Sequence, residues 1–306
     1  MGIRRKVIAG ATALLLSSAA LAAAHPGVEH AVEALSSKLD AAPTDVDLLL
    51  LRSELQRREG RFALAMADID RAAKLAPKDA RLDLWRGLTY FEMAELARAD
   101  KHLSHYLAHN TGQPMVLWTR ARVREARGRY KAALLDYDAA LAGGEHAVEL
   151  FVSRGALLER LGREQEAEAN YRLGLQRASG AVVLAIMLID LEMRRGRFDS
   201  AIGAIDQAMG QARVKTNWYL RRAAAQEAAG RAVLARADRE RALGEADRLI
   251  TIRRSSLALF GRAQALEALG RYDEAIVDLG EAIARTPKNH QAHQLLAAIA
   301  RKRSAQ

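Results

Sequence analysis

The stretch GRYDEAIVDLGEAIARTP, residues 270–287, decides the fold, because the start of its pattern recurs along the chain. Six Gly-Arg pairs belong to this series, and four of them are followed by Phe or Tyr. The six glycines are Gly60, Gly128, Gly162, Gly196, Gly230 and Gly270. The first five are separated by 34 residues or twice 34, the missing member falls on Ala94, and the last step is 40. A fixed period of this length predicts stacked copies of one supersecondary unit.

Small residues keep one register around these seven turn positions. Alanine stands five residues after every one of them, at Ala65, Ala99, Ala133, Ala167, Ala201, Ala235 and Ala275. Small residues also predominate seven positions before and twelve positions after each turn. Glycine accepts a positive φ and ends a helix, while Ala and Gly let two helix axes approach closely. Each unit is therefore predicted to be a helix of about 14 residues, a glycine turn and a second helix.

This pattern resembles the tetratricopeptide repeat family, in which a 34-residue helix–turn–helix unit carries small residues where its helices cross. The resemblance covers Val46 to about Pro287. It implies an all-α, right-handed superhelical solenoid of about seven repeats that binds protein partners along its concave groove. The chain departs from the family in two ways: the leading Trp is absent from its usual position, and the closing Pro remains only as Pro77 and Pro287.

The repeat register predicts the domain boundaries. Residues 1–24 are a signal peptide, 25–45 a flanking helix, 46–287 the array, and 288–306 a polar capping helix and tail. The seven copies span 46–79, 80–113, 114–147, 148–181, 182–215, 216–255 and 256–287. Six additional residues in the sixth copy are expected to lengthen its second helix or its exit loop.

The first 24 residues have the organisation of a secretory signal. Arg4, Arg5 and Lys6 precede an uncharged apolar run that ends in small residues, with cleavage expected after Ala22 or Ala24. An uncleaved membrane anchor is the alternative, because 18 apolar residues are just long enough to span a bilayer. Cleavage would lower the net charge from +10 to +7. We expect export to the periplasm, or secretion, with no membrane contact after cleavage and no nucleic-acid partner.

The composition and motifs argue against an enzyme. The 306-residue chain has no cysteine, which excludes disulfides, thiolate metal sites and a Cys nucleophile. It also has no glycine-rich phosphate loop, no His-Glu-x-x-His helix and no nucleophile elbow. We therefore predict a non-catalytic protein that requires no cofactor.

Arginine stands eight residues before six of the seven turns, and four copies place Asp eight residues after the turn. Because the two positions face each other across a hairpin, we predict the ion pairs Arg52–Asp68, Arg120–Asp136, Arg222–Asp238 and Arg262–Asp278. Two further copies are predicted to pair Arg86 with His102 and Arg154 with Asn170. The remaining copy has Leu188 and Ala204, an apolar replacement of the kind that is often neutral or stabilising.

An apolar row on the first helices is predicted to line the concave groove with about half of its members, while the alternative is that the row is partly core between helices. Its members are Leu50, Leu84, Trp118, Val152, Ile186, Leu220 and Phe260, with neighbours that include Leu88, Arg122, Asp190 and Gln264. Trp118 and Phe260 are the expected anchors, because aromatic side chains dominate binding hot spots. Family members that bind acidic C-terminal tails carry Lys and Asn in this row. Their absence favours a helix or an extended apolar segment as the partner.

Two alternatives involve other residues. The segment from Arg120 to Lys131 carries six basic side chains and is a candidate site for an anionic envelope polymer. His102, His105 and His109 form a helical stripe that is a weak metal candidate, because the sequence indicates no nearby carboxylate to orient the imidazoles. His290 with His293, and His25 as a copper-binding mature N-terminus, are weaker still, so we predict no metal site.

Overall fold

The computed structural model describes residues 26–178 and 181–304, and across these residues the chain forms sixteen helices and no β-strand. The all-α class and the helix–turn–helix repeats are therefore confirmed. The predicted signal peptide and His25 lie outside the described residues. No helix in the described ranges is both long and apolar enough to cross a membrane.

The chain divides into two compact units at the boundary between Glu145 and His146, which follows the second helix of the third repeat. The first unit contains the flanking helix and repeats one to three. Its helices are α1 (Pro26–Ala41), α2 (Val46–Arg58), α3 (Phe62–Leu75), α4 (Arg81–Glu92), α5 (Leu96–His109), α6 (Pro114–Ala126) and α7 (Tyr130–Ala142).

The second unit contains repeats four to seven and the terminal helix. Its helices are α8 (Val148–Arg160), α9 (Glu164–Arg177), α10 (Val182–Arg194), α11 (Phe198–Gln211), α12 (Thr216–Ala228), α13 (Ala232–Ile252), α14 (Ser256–Ala268), α15 (Tyr272–Arg285) and α16 (His290–Ser304). Most repeat helices have 12 to 14 residues, whereas α13 has 21. The additional residues of the sixth repeat therefore extend its second helix.

The turns between paired helices have one backbone conformation. All six predicted turn glycines have φ between +69° and +76°. Ala94, at the seventh turn, has φ +59° and is the one residue other than glycine with a positive φ in the described ranges. The turn geometry is thus kept even where the sequence does not provide a glycine, at a cost of about 1 kcal/mol for a side chain in this region.

Close crossings within hairpins explain the small residues before the turns. A Cβ added at Gly155 would lie 2.1 Å from the ring of Tyr171, and one at Gly87 would lie 2.7 Å from the side chain of Leu103. The alanines five residues after the turns are likewise completely buried in all seven repeats. These contacts bring each pair of helices close enough to form a continuous apolar core.

Each unit has its own apolar clusters between successive hairpins. In the first unit, Leu39 of α1 packs with Leu49 and Leu50 of α2, and a second cluster surrounds Leu103 and Val123. In the second unit, one cluster surrounds Ile189 and Ile205, and the other contains Leu266, Leu279 and Ile299. Since a single hairpin cannot bury its apolar face alone, the flanking helices α1 and α16 cover the exposed ends of the stacks.

Candidate functional site: the surface of the first helices

The first helices of neighbouring repeats pack directly on one another. In the first unit α2 contacts α4 and α4 contacts α6, and in the second unit α8 contacts α10 and α12 contacts α14. Helix α16 continues this series by packing on α14. Within the described ranges, successive second helices show no comparable packing. First helices therefore lie on the inner side of the curve within each unit, as the concave-groove prediction requires.

The second unit has a cleft of about 690 Å³ on this surface. Its walls come from three helices in the first-helix position: Leu220 and Ala224 of α12, Gln264 and Ala268 of α14, and Leu295 of α16. A cleft of this size is within the range of small ligand pockets, and its lining combines these aliphatic side chains with charged and polar ones.

Two ion pairs lie at the rim of this cleft. Glu227 of α12 pairs with Arg239 of α13, and Lys302 of α16 donates to Glu267 of α14 with 2.5 Å between the nitrogen and the oxygen. The hydrogen bond to Glu267 raises the pKa of Lys302 above its ordinary value. Because each rim charge has an opposite partner, the charged part of the lining is neutralised in pairs beside the aliphatic side chains.

Most of the predicted groove residues are half-buried. Leu220 and Gln264 line the cleft, and Phe260 packs against the cluster of Leu266 and Leu279. Leu84 and Leu88 likewise pack against the core around Leu103, and Ile186 packs against that of Ile189. Val152 is half-buried.

Leu50 was expected to line the groove, but this prediction is wrong. Its side chain is only 2% exposed and lies in the cluster that contains Leu39 and Leu49. The flanking helix α1 packs on α2 at this end of the array. In the first repeat, Leu50 therefore belongs to the apolar core instead of the groove.

Three polar or aromatic members of the predicted groove remain accessible. Arg122 is exposed, with its guanidinium 5.0 Å from the centre of the Phe91 ring, a cation–π distance. Asp190 accepts a hydrogen bond of 3.0 Å from Arg221. Trp118 is half-buried, and its Nε1 has no hydrogen-bond partner among the described residues.

Comparisons with known proteins agree with this architecture. A family model described as tetratricopeptide repeat matches residues 256–299, the seventh repeat and most of α16. The C-terminal part of a TPR repeat-containing protein from Cytophaga hutchinsonii has a TM-score of 0.59 at 14% identity, covering 81% of this chain and 99% of the other. Residues 256–299 therefore match the tetratricopeptide repeat family, and the described helices share its fold.

Other solved structures share the tetratricopeptide repeat fold at similarly low identity. Yeast Tom70 has a TM-score of 0.52 at 15% identity over 91% of this chain and 59% of that one. The pilF protein of Pseudomonas aeruginosa has a TM-score of 0.51 at 15% identity over 70% of this chain and 94% of that one. No curated protein matches the sequence. At these identities the likeness is one of fold.

All four predicted Arg–Asp pairs are present in the structure. Each is bidentate, with Nε and Nη2 of the arginine donating to the two carboxylate oxygens at 2.6 to 2.9 Å. The pairs are Arg52–Asp68, Arg120–Asp136, Arg222–Asp238 and Arg262–Asp278. Burial alone would raise the pKa of Asp238, but hydrogen bonds from Arg222 and Arg241 outweigh it and lower that pKa.

Each of these arginines also reaches back to the preceding helix through Nη1. Arg52 donates to Ser36 and Arg120 to Ser104, while Arg222 donates to Asp206 at 2.5 Å. Arg262 donates similarly to Asp247 at 3.2 Å. One guanidinium thus connects three successive helices, a connection between repeats that the sequence prediction missed.

The three remaining tetratricopeptide repeats differ at this position. Arg154 donates to Asn170 at 3.1 Å, and Leu188 is buried where its repeat lacks the pair. The predicted Arg86–His102 contact is wrong: Arg86 donates to Asp70 of the preceding repeat, and His102 contacts Asp83. Both side chains therefore contact a carboxylate, and the Arg86–Asp70 ion pair joins two opposite charges where a bond from Arg86 to a neutral imidazole would join only one charge to a dipole.

The arginine-rich segment is partly neutralised within the first unit. Besides Arg120, Arg124 donates to both Asp100 and Asp136, and Arg127 and Arg129 donate to Asp100. Asp100 is only 4% exposed, so these bonds organise a buried carboxylate. The segment therefore offers less free positive charge than its composition indicates.

The histidine stripe has the carboxylate that the sequence did not indicate. Asp83 of α4 contacts Nδ1 of His102 at 2.7 Å and Nδ1 of His105 at 2.5 Å. Among the described residues, no group of three or more His, Asp or Glu is arranged to hold a metal ion. On the terminal helix, Nε2 of His293 contacts the Pro287 carbonyl oxygen at 3.0 Å. The spacing of 19 between Asp83 and His102 lies outside the 16-residue register, so the repeat pattern carried no signal for it.

Proposed function

We propose that this protein is a non-catalytic scaffold that binds an apolar segment of a protein partner in the cleft formed by α12, α14 and α16. The observation that carries the proposal is the cleft itself, which is lined by Leu220, Ala224 and Leu295. Repeat proteins of this architecture commonly bind partners on the surface of their first helices. The proposal that no catalysis occurs is supported by the absence of recognised catalytic motifs in the sequence.

The rim charges favour an apolar partner over a charged one. Arg239 and Lys302 already have carboxylate partners, so neither side chain offers a free cation to an acidic tail. Aliphatic walls between paired charges suit one face of an amphipathic helix or an extended segment with apolar side chains. The energy of such binding comes chiefly from burial of apolar surface, so we expect it to depend little on salt.

We propose further that the scaffold acts in the bacterial periplasm, in envelope assembly, secretion or polysaccharide export. The support is the organisation of residues 1–24, with three basic residues, an apolar run and small residues before His25. Osmotic-shock fractionation followed by N-terminal sequencing would test this. A mature chain that begins at Ala23 or His25 in the periplasmic fraction supports export, whereas an intact Met1 in the cytoplasm contradicts it.

Photo-cross-linking tests the binding surface. A photoreactive amino acid at Ala224, which is exposed in the cleft, should give a cross-linked product of discrete mass in intact cells. The matched control is Val277 on α15, an exposed apolar residue on a second helix. We expect the product at position 224 to be absent at position 277 and to be lost in the Leu220→Glu variant. Equal products at both positions, or a product unaffected by Leu220→Glu, would contradict the cleft as the binding site.

A further inference from the structure

A carboxylate from one helix of the second repeat holds two imidazoles of the other. Asp83 lies on α4, and its two oxygens contact Nδ1 of His102 and Nδ1 of His105 on α5. His102 is also stacked on Tyr90, with 5.5 Å between the ring centres. The two imidazoles of α5 therefore share the carboxylate of Asp83, and the Tyr90 ring supports His102.

This arrangement selects one tautomer of each histidine. A carboxylate only accepts hydrogen bonds, so Nδ1 of each neutral imidazole carries the proton and Nε2 carries the free lone pair. A carboxylate on one ring nitrogen with the other nitrogen free is the usual environment of a metal-binding histidine.

His109 lies one turn after His105 and completes a pair. The two ring centres are 5.3 Å apart, with an angle of 78° between the ring planes. Both side chains are exposed, His105 to 65%. Two imidazoles on one ion, each with a metal–nitrogen distance of about 2 Å, have ring centres roughly 5 Å apart, so the pair needs little rearrangement.

We propose that His105 and His109 bind a divalent transition-metal ion of the nickel, copper and zinc group, with Nε2 of His105 as one ligand and Asp83 as its positioning residue. Imidazole nitrogen suits these ions, whereas Mg²⁺ and Ca²⁺ require oxygen ligands. Two protein ligands leave the remaining coordination positions to water or to a group from a partner. The site is on the first unit and is independent of the cleft in the second unit.

The test is calorimetric titration of the untagged mature chain with ZnCl₂. We expect His105→Gln and His109→Gln each to weaken binding at this site more than tenfold, and Asp83→Asn to weaken it about 10- to 100-fold. The matched control is the double variant His290→Gln/His293→Gln, which removes an exposed histidine pair whose ring nitrogens contact no carboxylate in the described structure. Wild-type affinity in both single histidine variants, or an equal loss in the control, would overturn the proposal.

A spectroscopic measurement separates positioning from folding. Nitrogen chemical shifts of the His105 ring should report the Nδ1–H tautomer in the wild type, a changed tautomer ratio in Asp83→Asn, and recovery in Asp83→Glu. Zn²⁺ should then shift Nε2 rather than Nδ1 of His105. If Asp83→Asn weakens Zn²⁺ binding while the tautomer ratio is unchanged, Asp83 is not the positioning residue.

Discussion

The second and seventh repeats differ at matching positions. In the seventh, Gly270 forms the turn and Arg262 bonds both oxygens of the buried Asp278. In the second, an alanine forms the turn, and the arginine bonds an exposed aspartate of the preceding repeat. Both keep the same hairpin. The apolar crossings therefore determine the fold, while the polar positions are free to acquire different partners.

The largest expected effect on stability comes from removing the arginine in each of these two repeats. Arg262→Met should lower the free energy of unfolding by about 3 kcal/mol, because Asp278, at 1% exposure, would be a buried carboxylate without a donor. Arg86→Met should cost less than about 1 kcal/mol, because its partner Asp70 is 57% exposed and water replaces the lost bond. Urea titration followed by far-ultraviolet circular dichroism measures both.

A compensating variant sharpens the same comparison. The fifth repeat has buried Leu188 instead of the pair, so Arg262→Met/Asp278→Leu should recover most of the stability lost in Arg262→Met. A double variant that is less stable than the single one would show that the pair contributes more than the removal of a buried charge.

Substitutions at the turn are expected to have the next largest effect on stability. Ala94→Gly should raise the free energy of unfolding by about 0.5 to 1 kcal/mol, because glycine accepts φ +59° without steric conflict. Gly128→Ala, with φ +74° in the third repeat, should lower it by about 1 kcal/mol. The same urea titrations measure both changes. If Ala94→Gly is neutral or destabilising, the alanine turn is not strained.

Sequence periodicity predicted the helices and hairpins because crossings recur at fixed positions and tolerate only small residues. The same spacing was ambiguous for polar partners: Arg86 has His102 sixteen residues ahead and Asp70 sixteen behind, and it bonds Asp70. The burial of Leu50 followed from the docking of α1, which lies outside the repeat register. Where two neighbouring helices both offer a partner, only the three-dimensional packing shows which contact forms.

The smallest expected effect is the pH dependence of the Asp83 cluster. The pKa of Asp83 in the folded protein lies below its ordinary value of 3.8, so the unfolded chain binds this proton more tightly. The stability that Asp83 contributes is therefore present above about pH 4 and is lost as the pH falls through the folded pKa. Asp83→Asn removes this titration without changing the size of the side chain.

The measurement is the stability difference between wild type and Asp83→Asn, from urea titrations at several values between pH 5 and pH 3. The difference should shrink as the pH falls through this range. Asp238→Asn is the matched control, because the pKa of Asp238 is also lowered, with arginine rather than histidine as its partner. It should show the same direction of change. A difference for Asp83 that grows between pH 5 and pH 3 would mean that the two imidazoles do not hold the ionised carboxylate.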